Sequence, residues 1–371
     1  MNIIISKEEP YAVLIEQYIA QQFPLLTTIT GENLVDVLTT ILIGNKDTRF
    51  GPTKSPESLV VIRNVIRNAV ADQQPIQILM PWGSMKSDQT DHIDMAELLA
   101  ISTLIKLSEA VKRVYKPGIY IRIRIEDYSG VQLFSYPKTL DMVTAGIINN
   151  YCNKLENLIE ILGGNDVIEP IRESNMNKVN EFYLTVNNLK PYFVDYLSKT
   201  NDVIAENPLF NPIDYDSYNE LKAFGWNGII SSEQRQYYYN TYKKLYNSDQ
   251  EEAIELLSLY LAQSLSRRIL NMNGAGKWKE YIQLTFCAPV PGIPSGFDHN
   301  YIYYRTVPIS QARTHICPWR AMGYLRIYRD KVCSKICSLA EYREKELIPS
   351  SFTLSNNDFS VEIDSSYILV D

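Results

Sequence analysis

The sequence predicts an α/β fold on a mostly parallel sheet, with a mainly helical insertion in the middle of the chain. Three observations point there. First, a short apolar run, PIQILMP (75–81), leads through a polar loop into the helix-length stretch MAELLAISTLIKLSEAVKRVY (95–115) and then into IYIRIRIED (119–127), which alternates. A crossover of that length is what brings a second strand back parallel to the first. Second, residues 175–270 are rich in tyrosine and repeat at helical spacing, most plainly in EEAIELLSLYLAQSLSRRIL (251–270). Third, extended segments return after it, in YIQLTFCAPVPG (281–292) and YIYYRTVPI (301–309). This layout is Rossmann-like, and its ligands are expected beyond the carboxyl ends of the strands, at the loop 81–94 and the turn 126–130.

The remaining elements follow in order. Residues 1–50 read as one or two helices, with LVDVLTTILIG (34–44) ending at Gly44. A polar link precedes LVVIRNVIRNAV (59–70), whose helix starts close to Pro56, a residue suited to a first turn. MVTAGIINNYCNKLENLIEILGG (142–164) is helical and stops at paired glycines. The tail FSVEIDSSYILV (359–370) adds one or two short strands. The expected division is a helical segment 1–50, an α/β core 51–150, a helical Tyr-rich region 151–275 and a β-rich part 276–371 that completes the core.

The chain has 371 residues, 45% of them hydrophobic and 21% charged, a globular composition. A net charge of −7 argues against a general nucleic-acid binder. No apolar run is long enough to span a membrane, and the start MNIIISKEEPYAVLIEQ lacks the basic and apolar regions of a signal peptide. Five cysteines, an odd number, do not describe a disulfide-stapled secreted fold, so a cytoplasmic protein is expected. An oligomer is compatible with this reading.

Four groups of residues carry chemistry. In MPWGSMKSD, Lys86 with Ser84 and Ser87 suits a phosphate or carboxylate at a strand end, although the P-loop order is absent; a solvated loop lysine is the plain alternative. Asp94 and Glu97 have the spacing of a capping box, while Glu97 also falls where a carboxylate can grip an amine; His92 reads as a surface residue. Arg122 and Arg124 share one face of a strand whose other face is Ile119, Ile121, Ile123 and Ile125, so they need solvent, carboxylates or an acidic ligand. Finally, VPISQARTHICPWRAMGYLRI (307–327) with the neighbouring Arg305 gathers Arg305, Arg313, His315, Arg320 and Arg326; arginines clasp anions and a histidine can move a proton. Zinc is disfavoured. Cys333 and Cys337 lack the knuckle spacing, and their separation of four reads as one face of a helix.

The stretches MPWGSMKS, DMAE, VYKPG and IRIRIEDYSG, with YYRTVPISQARTHICPW later, resemble the pyoverdine/dityrosine biosynthesis family, which includes the isonitrile synthases. The loop here differs from the family's usual shorter, phenylalanine-bearing form, and the usual Ser-Asp-Gly turn reads EDYSG. The resemblance implies an enzyme that joins an amino acid, tyrosine or tryptophan foremost, to the co-substrate ribulose 5-phosphate, without a metal or nicotinamide cofactor. It implies Lys86, His315, Glu97 and Asp127 as catalytic groups. Ser84, Ser87, Arg122, Arg124, Arg305, Arg313 and Arg320 would then bind the substrates' anionic groups. Two other functions stay open at this point: an enzyme giving an N-formyl or N-acyl amino acid, and a non-catalytic small-anion-binding protein.

Overall fold

The computed structural model describes residues 2–5, 11–21, 33–43, 56–86, 88, 90–134, 142–176, 178–198, isolated positions from 255 to 270, 281–285, 301–303 and 318–370. The chain opens with β1 (Asn2–Ile5), α1 (Ala12–Gln21), α2 (Leu34–Ile43) and α3 (Pro56–Ala71). There follow β2 (Ile76–Trp82), β3 (Ile93–Asp94), α4 (Met95–Lys112), β4 (Ile119–Ile125), α5 (Asp127–Phe134), α6 (Met142–Ile161), β5 (Ile168–Arg172) and α7 (Val179–Ser198). The later part holds β6 (Ile282–Thr285), β7 (Tyr301–Tyr303), β8 (Met322–Tyr328), β9 (Lys331–Cys337), α8 (Leu339–Arg343), β10 (Ser351–Ser355), β11 (Ser360–Asp364) and β12 (Tyr367–Val370).

The central sheet has the order β5-β4-β2-β6-β7, and all its pairings are parallel. β2 and β4 pair along their whole lengths, from Ile76 opposite Ile119 to Trp82 opposite Ile125. Alternation decides what each face does. Ile76, Ile78 and Met80 with Ile119, Ile121, Ile123 and Ile125 are all buried and join the main core with α4. The opposite face carries Gln77, Leu79, Tyr120, Arg122 and Arg124. The chain leaves β2 towards β4 and returns on β2's other side at β6, so the end of β2 lies at a switch point of the sheet.

Sequence and structure agree on the strand–helix–strand unit and on an α/β architecture with mostly parallel strands and a helical part. α6 stops at Gly163, whose φ of +74° is a conformation glycine adopts without a Cβ penalty. Several local readings change. Cys333 and Cys337 lie on strand β9, not on a helix. β1, within residues read as helical, pairs antiparallel with β10. β5 is a strand inside the range read as helical, and it pairs with β4. α4, read as amphipathic, is buried on all sides from Met95 to Ser102; it is a core helix. The Tyr-rich stretches 231–247 and most of 251–270 lie outside the described residues.

Two smaller sheets flank this unit: β1-β10-β11-β3 and β12-β8-β9. The two-residue strand β3 pairs with β11 and runs directly into α4. The loop after β2 is thereby fixed at both ends, by the central sheet and by a second one.

Candidate active site

The loop after β2 is built around Trp82, Gly83 and Lys86. Gly83 packs so tightly against the Trp319 ring that a Cβ there would overlap it. Trp82 and Trp319 stand with ring centroids 5.3 Å apart. Trp82 Nε1 donates to the Tyr151 hydroxyl (3.2 Å), which donates to Glu97 Oε1 (3.0 Å).

Lys86 is the centre of this network, and it is fully buried. Its ammonium lies 3.0 Å from Asp94 Oδ1 and 2.8 Å from Glu97 Oε2. It also donates to the carbonyls of Pro318 (2.9 Å) and Ala321 (2.7 Å). The capping box expected from the sequence is present: Asp94 accepts from Ala96 N–H (2.7 Å), and Glu97 Oε2 accepts from Asp94 N–H (3.1 Å). Asp94 Oδ2 reaches further, accepting from Gly323 N–H at 2.8 Å. One ammonium and two carboxylates thus tie the β2 loop, the start of α4, the turn at Pro318–Arg320 and the start of β8 together.

Burial opposes the charge on Lys86, but Asp94 and Glu97 outweigh it and hold the ammonium above its usual range. Burial also pushes the Glu97 carboxyl up to about 8, against the pull of Lys86 and with help from Asp94. Lys86 and Asp94 N–H both donate to Oε2, while Oε1 faces the Tyr151 hydroxyl, which can donate to a carboxylate or accept from a carboxyl. The cluster therefore changes its proton count close to neutral pH. Lys86 and Glu97, expected at the reacting centre, are fully buried, with their polar atoms turned to one another, to Asp94, to Tyr151 and to the backbone.

Ser84 is buried as well, its hydroxyl pressed against Gly130, where a Cβ would overlap it. Asp127 opens α5 and accepts from Ser174 N–H (3.0 Å) and from the Ser174 hydroxyl. A reciprocal contact lies beside it: fully buried Glu173 accepts from Ser129 N–H (3.2 Å) and Ser129 Oγ (2.6 Å). The two carboxylates clasp the turn after β4 to the turn after β5. No sequence signal marked Glu173, Ser129 or Tyr151, because the partners described here are 44 to 69 residues away.

The arginines have distinct surroundings. Arg122 Nε donates to Glu169 Oε2 (2.7 Å) and its Nη1 to the Tyr281 hydroxyl (3.1 Å). Arg124, at the carboxyl end of β4, is buried, and its Nη2 donates to Glu126 Oε1 at 2.7 Å. The carboxylate partner expected from the sequence is therefore there. Ser87, Arg305, Arg313 and His315 lie outside the described residues, as does the side chain of Arg320. Among the described residues, no three His, Cys, Asp or Glu side chains gather as a metal site. No described helix is long and apolar enough to cross a membrane.

The fold has a structural counterpart. The chain is similar to the crystal structure of the PvcA protein from Pseudomonas aeruginosa, with a TM-score of 0.55 and 14% identity, over 91% of this chain and 100% of that one. The two share a fold. No protein-family profile matches the sequence, and no curated protein matches it.

Proposed function

We propose that this chain is an enzyme of the isonitrile-synthase type, which condenses an amino acid, tyrosine or tryptophan foremost, with ribulose 5-phosphate. The observation that carries the reading is the fold shared with PvcA over nearly the whole chain. Three of the motifs behind the sequence resemblance, MPWGSMKS, DMAE and IRIRIEDYSG, run through the end of β2, the start of α4 and the β4–α5 turn, the side of a parallel sheet where ligands are expected. Both substrates carry anions that arginine recognises well.

In this reading Arg124, with Arg305, Arg313 and Arg320, receives the carboxylate and the phosphate. His315 moves protons during imine formation and the eliminations that follow. Lys86, Glu97 and Asp127 act as positioning residues. Lys86 fixes the Pro318–Arg320 turn against the β2 loop, while Asp127 fixes the turns after β4 and β5. Ser84 and Arg122 serve the frame in the same way, and Ser87 has the anion-binding role expected from the sequence.

The test is mass spectrometry of the purified protein with L-tyrosine or L-tryptophan, with and without ribulose 5-phosphate, plus a trapping reagent for isonitriles. The expected result is loss of one amino acid only when the sugar phosphate is present, with a trapped adduct. An N-formyl amino acid would place the chain with a different N-modifying chemistry. Saturable binding by folded protein without any product would contradict catalysis.

A further inference from the structure

Three arginines stand at the neighbouring strands β4 and β5, and two of them have their Nε groups engaged. Arg172 presents Nε and Nη2 side by side to one carboxylate, donating to Glu156 Oε1 (2.6 Å) and Oε2 (2.9 Å). Arg122 gives its Nε to Glu169. Arg124 differs. Its Nη2 donates to Glu126 Oε1, but its Nε, on the same edge of the guanidinium, is buried with no hydrogen-bond partner. Only 10% of the side chain is exposed, so bulk water does not serve that donor. A buried charged donor left in this state is a strong recogniser of an acceptor that can reach it.

We propose that the Nε–Nη2 edge of Arg124 is the seat of a substrate oxyanion, with Glu126 as a movable occupant of half of it. The inference rests on the function proposed above and divides the labour within that site: Arg122 belongs to the frame, Arg124 to the ligand. Carboxylate and phosphate share the needed chemistry, two oxygens spaced to bridge Nε and Nη2, as Glu156 does at Arg172. The Glu126 side chain is 28% exposed, so it can turn outwards when an anion arrives. Its carboxylate also sets a threshold: an anion must displace it to use both N–H groups.

Calorimetric titration of the full chain with inorganic phosphate, ribulose 5-phosphate and L-tyrosine, each alone, tests this. Arg124→Gln is expected to weaken the bound anion about ten- to a hundredfold. Glu126→Gln is expected to tighten it about two- to fivefold, because a competitor is neutralised. Binding of both phosphates assigns the edge to the sugar phosphate; binding of L-tyrosine alone assigns it to the amino-acid carboxylate. Should Arg124→Gln fail to fold, the sign of the Glu126→Gln effect decides by itself. Unchanged affinity in the variants, weaker binding in Glu126→Gln, or no binding of any probe would overturn the proposal. Arg124-dependent binding without product would sink the reaction and leave this site standing. Product formation indifferent to Arg124→Gln would do the reverse.

Discussion

At Lys86 a fully buried ammonium faces two carboxylates and two backbone carbonyls. Removing the positive charge leaves the buried Asp94 carboxylate, with Glu97 beside it, without compensation. Lys86→Met is therefore expected to destabilise the protein by about 3–5 kcal/mol, read by urea unfolding. A loss below about 1 kcal/mol would mean that the charges are solvated, as in a surface pair. The proton count of the same cluster gives a pH dependence. Glu97 has a folded pKa of about 8, raised from an ordinary 4.5 mainly by burial. Between those values the unfolded chain has released this proton and the folded protein still holds it, so stability falls as pH rises through that window. Urea unfolding at steps from pH 5 to 8 should show the decline in the wild type and flatten it in Glu97→Gln. The sequence disclosed Lys86, Asp94 and Glu97 as residues of consequence, and the capping box by its spacing. It could not disclose that Lys86 points inward, because Pro318 and Ala321 are 232 and 235 residues away. Arg122 and Arg124 read alike in the sequence and differ through distant or local partners, Glu169 and Tyr281 for the first and Glu126 for the second.

Among the elements, α4 was legible because it is long and strongly capped, while β1 and β5 were not. Asn2–Ile5 is four residues, and Ile168–Arg172 contains a proline and two charges, so neither shows a period of its own. Both become strands through partners supplied by distant segments, β10 and β4. The link between the β2 loop and the Pro318–Arg320 turn is equally non-local, and the contact of Gly83 with Trp319 tests it. A methyl group at Gly83 must push the indole away, so Gly83→Ala is expected to cost about 1–3 kcal/mol by overpacking. The Trp82–Trp319 pair should report the displacement as a changed near-ultraviolet circular dichroism band. An unaltered band with full stability would show that the turn does not dock there.

For the molecule as a whole, the parallel sheet follows from one βαβ unit that any reader of the sequence can locate. The two flanking sheets do not: one joins β1 and β3 to the late strands β10 and β11, and the other sets the last strand β12 beside β8 and β9. Those last strands matter to the site: β8 begins next to the turn that Lys86 grips, and β12 pairs with β8 along its length. Deleting residues 367–371 should lower the melting temperature and weaken substrate binding together; loss of neither would separate this sheet from the site.

The central claim is that the chain joins an amino nitrogen to the carbonyl carbon of ribulose 5-phosphate. It is tested most directly with ribulose 5-phosphate carrying carbon-13 at that carbonyl, incubated with L-tyrosine or L-tryptophan and the trapping reagent. The account predicts a trapped adduct that carries the label and is lost in Arg124→Gln. A product without the label, or none from folded protein, would contradict it.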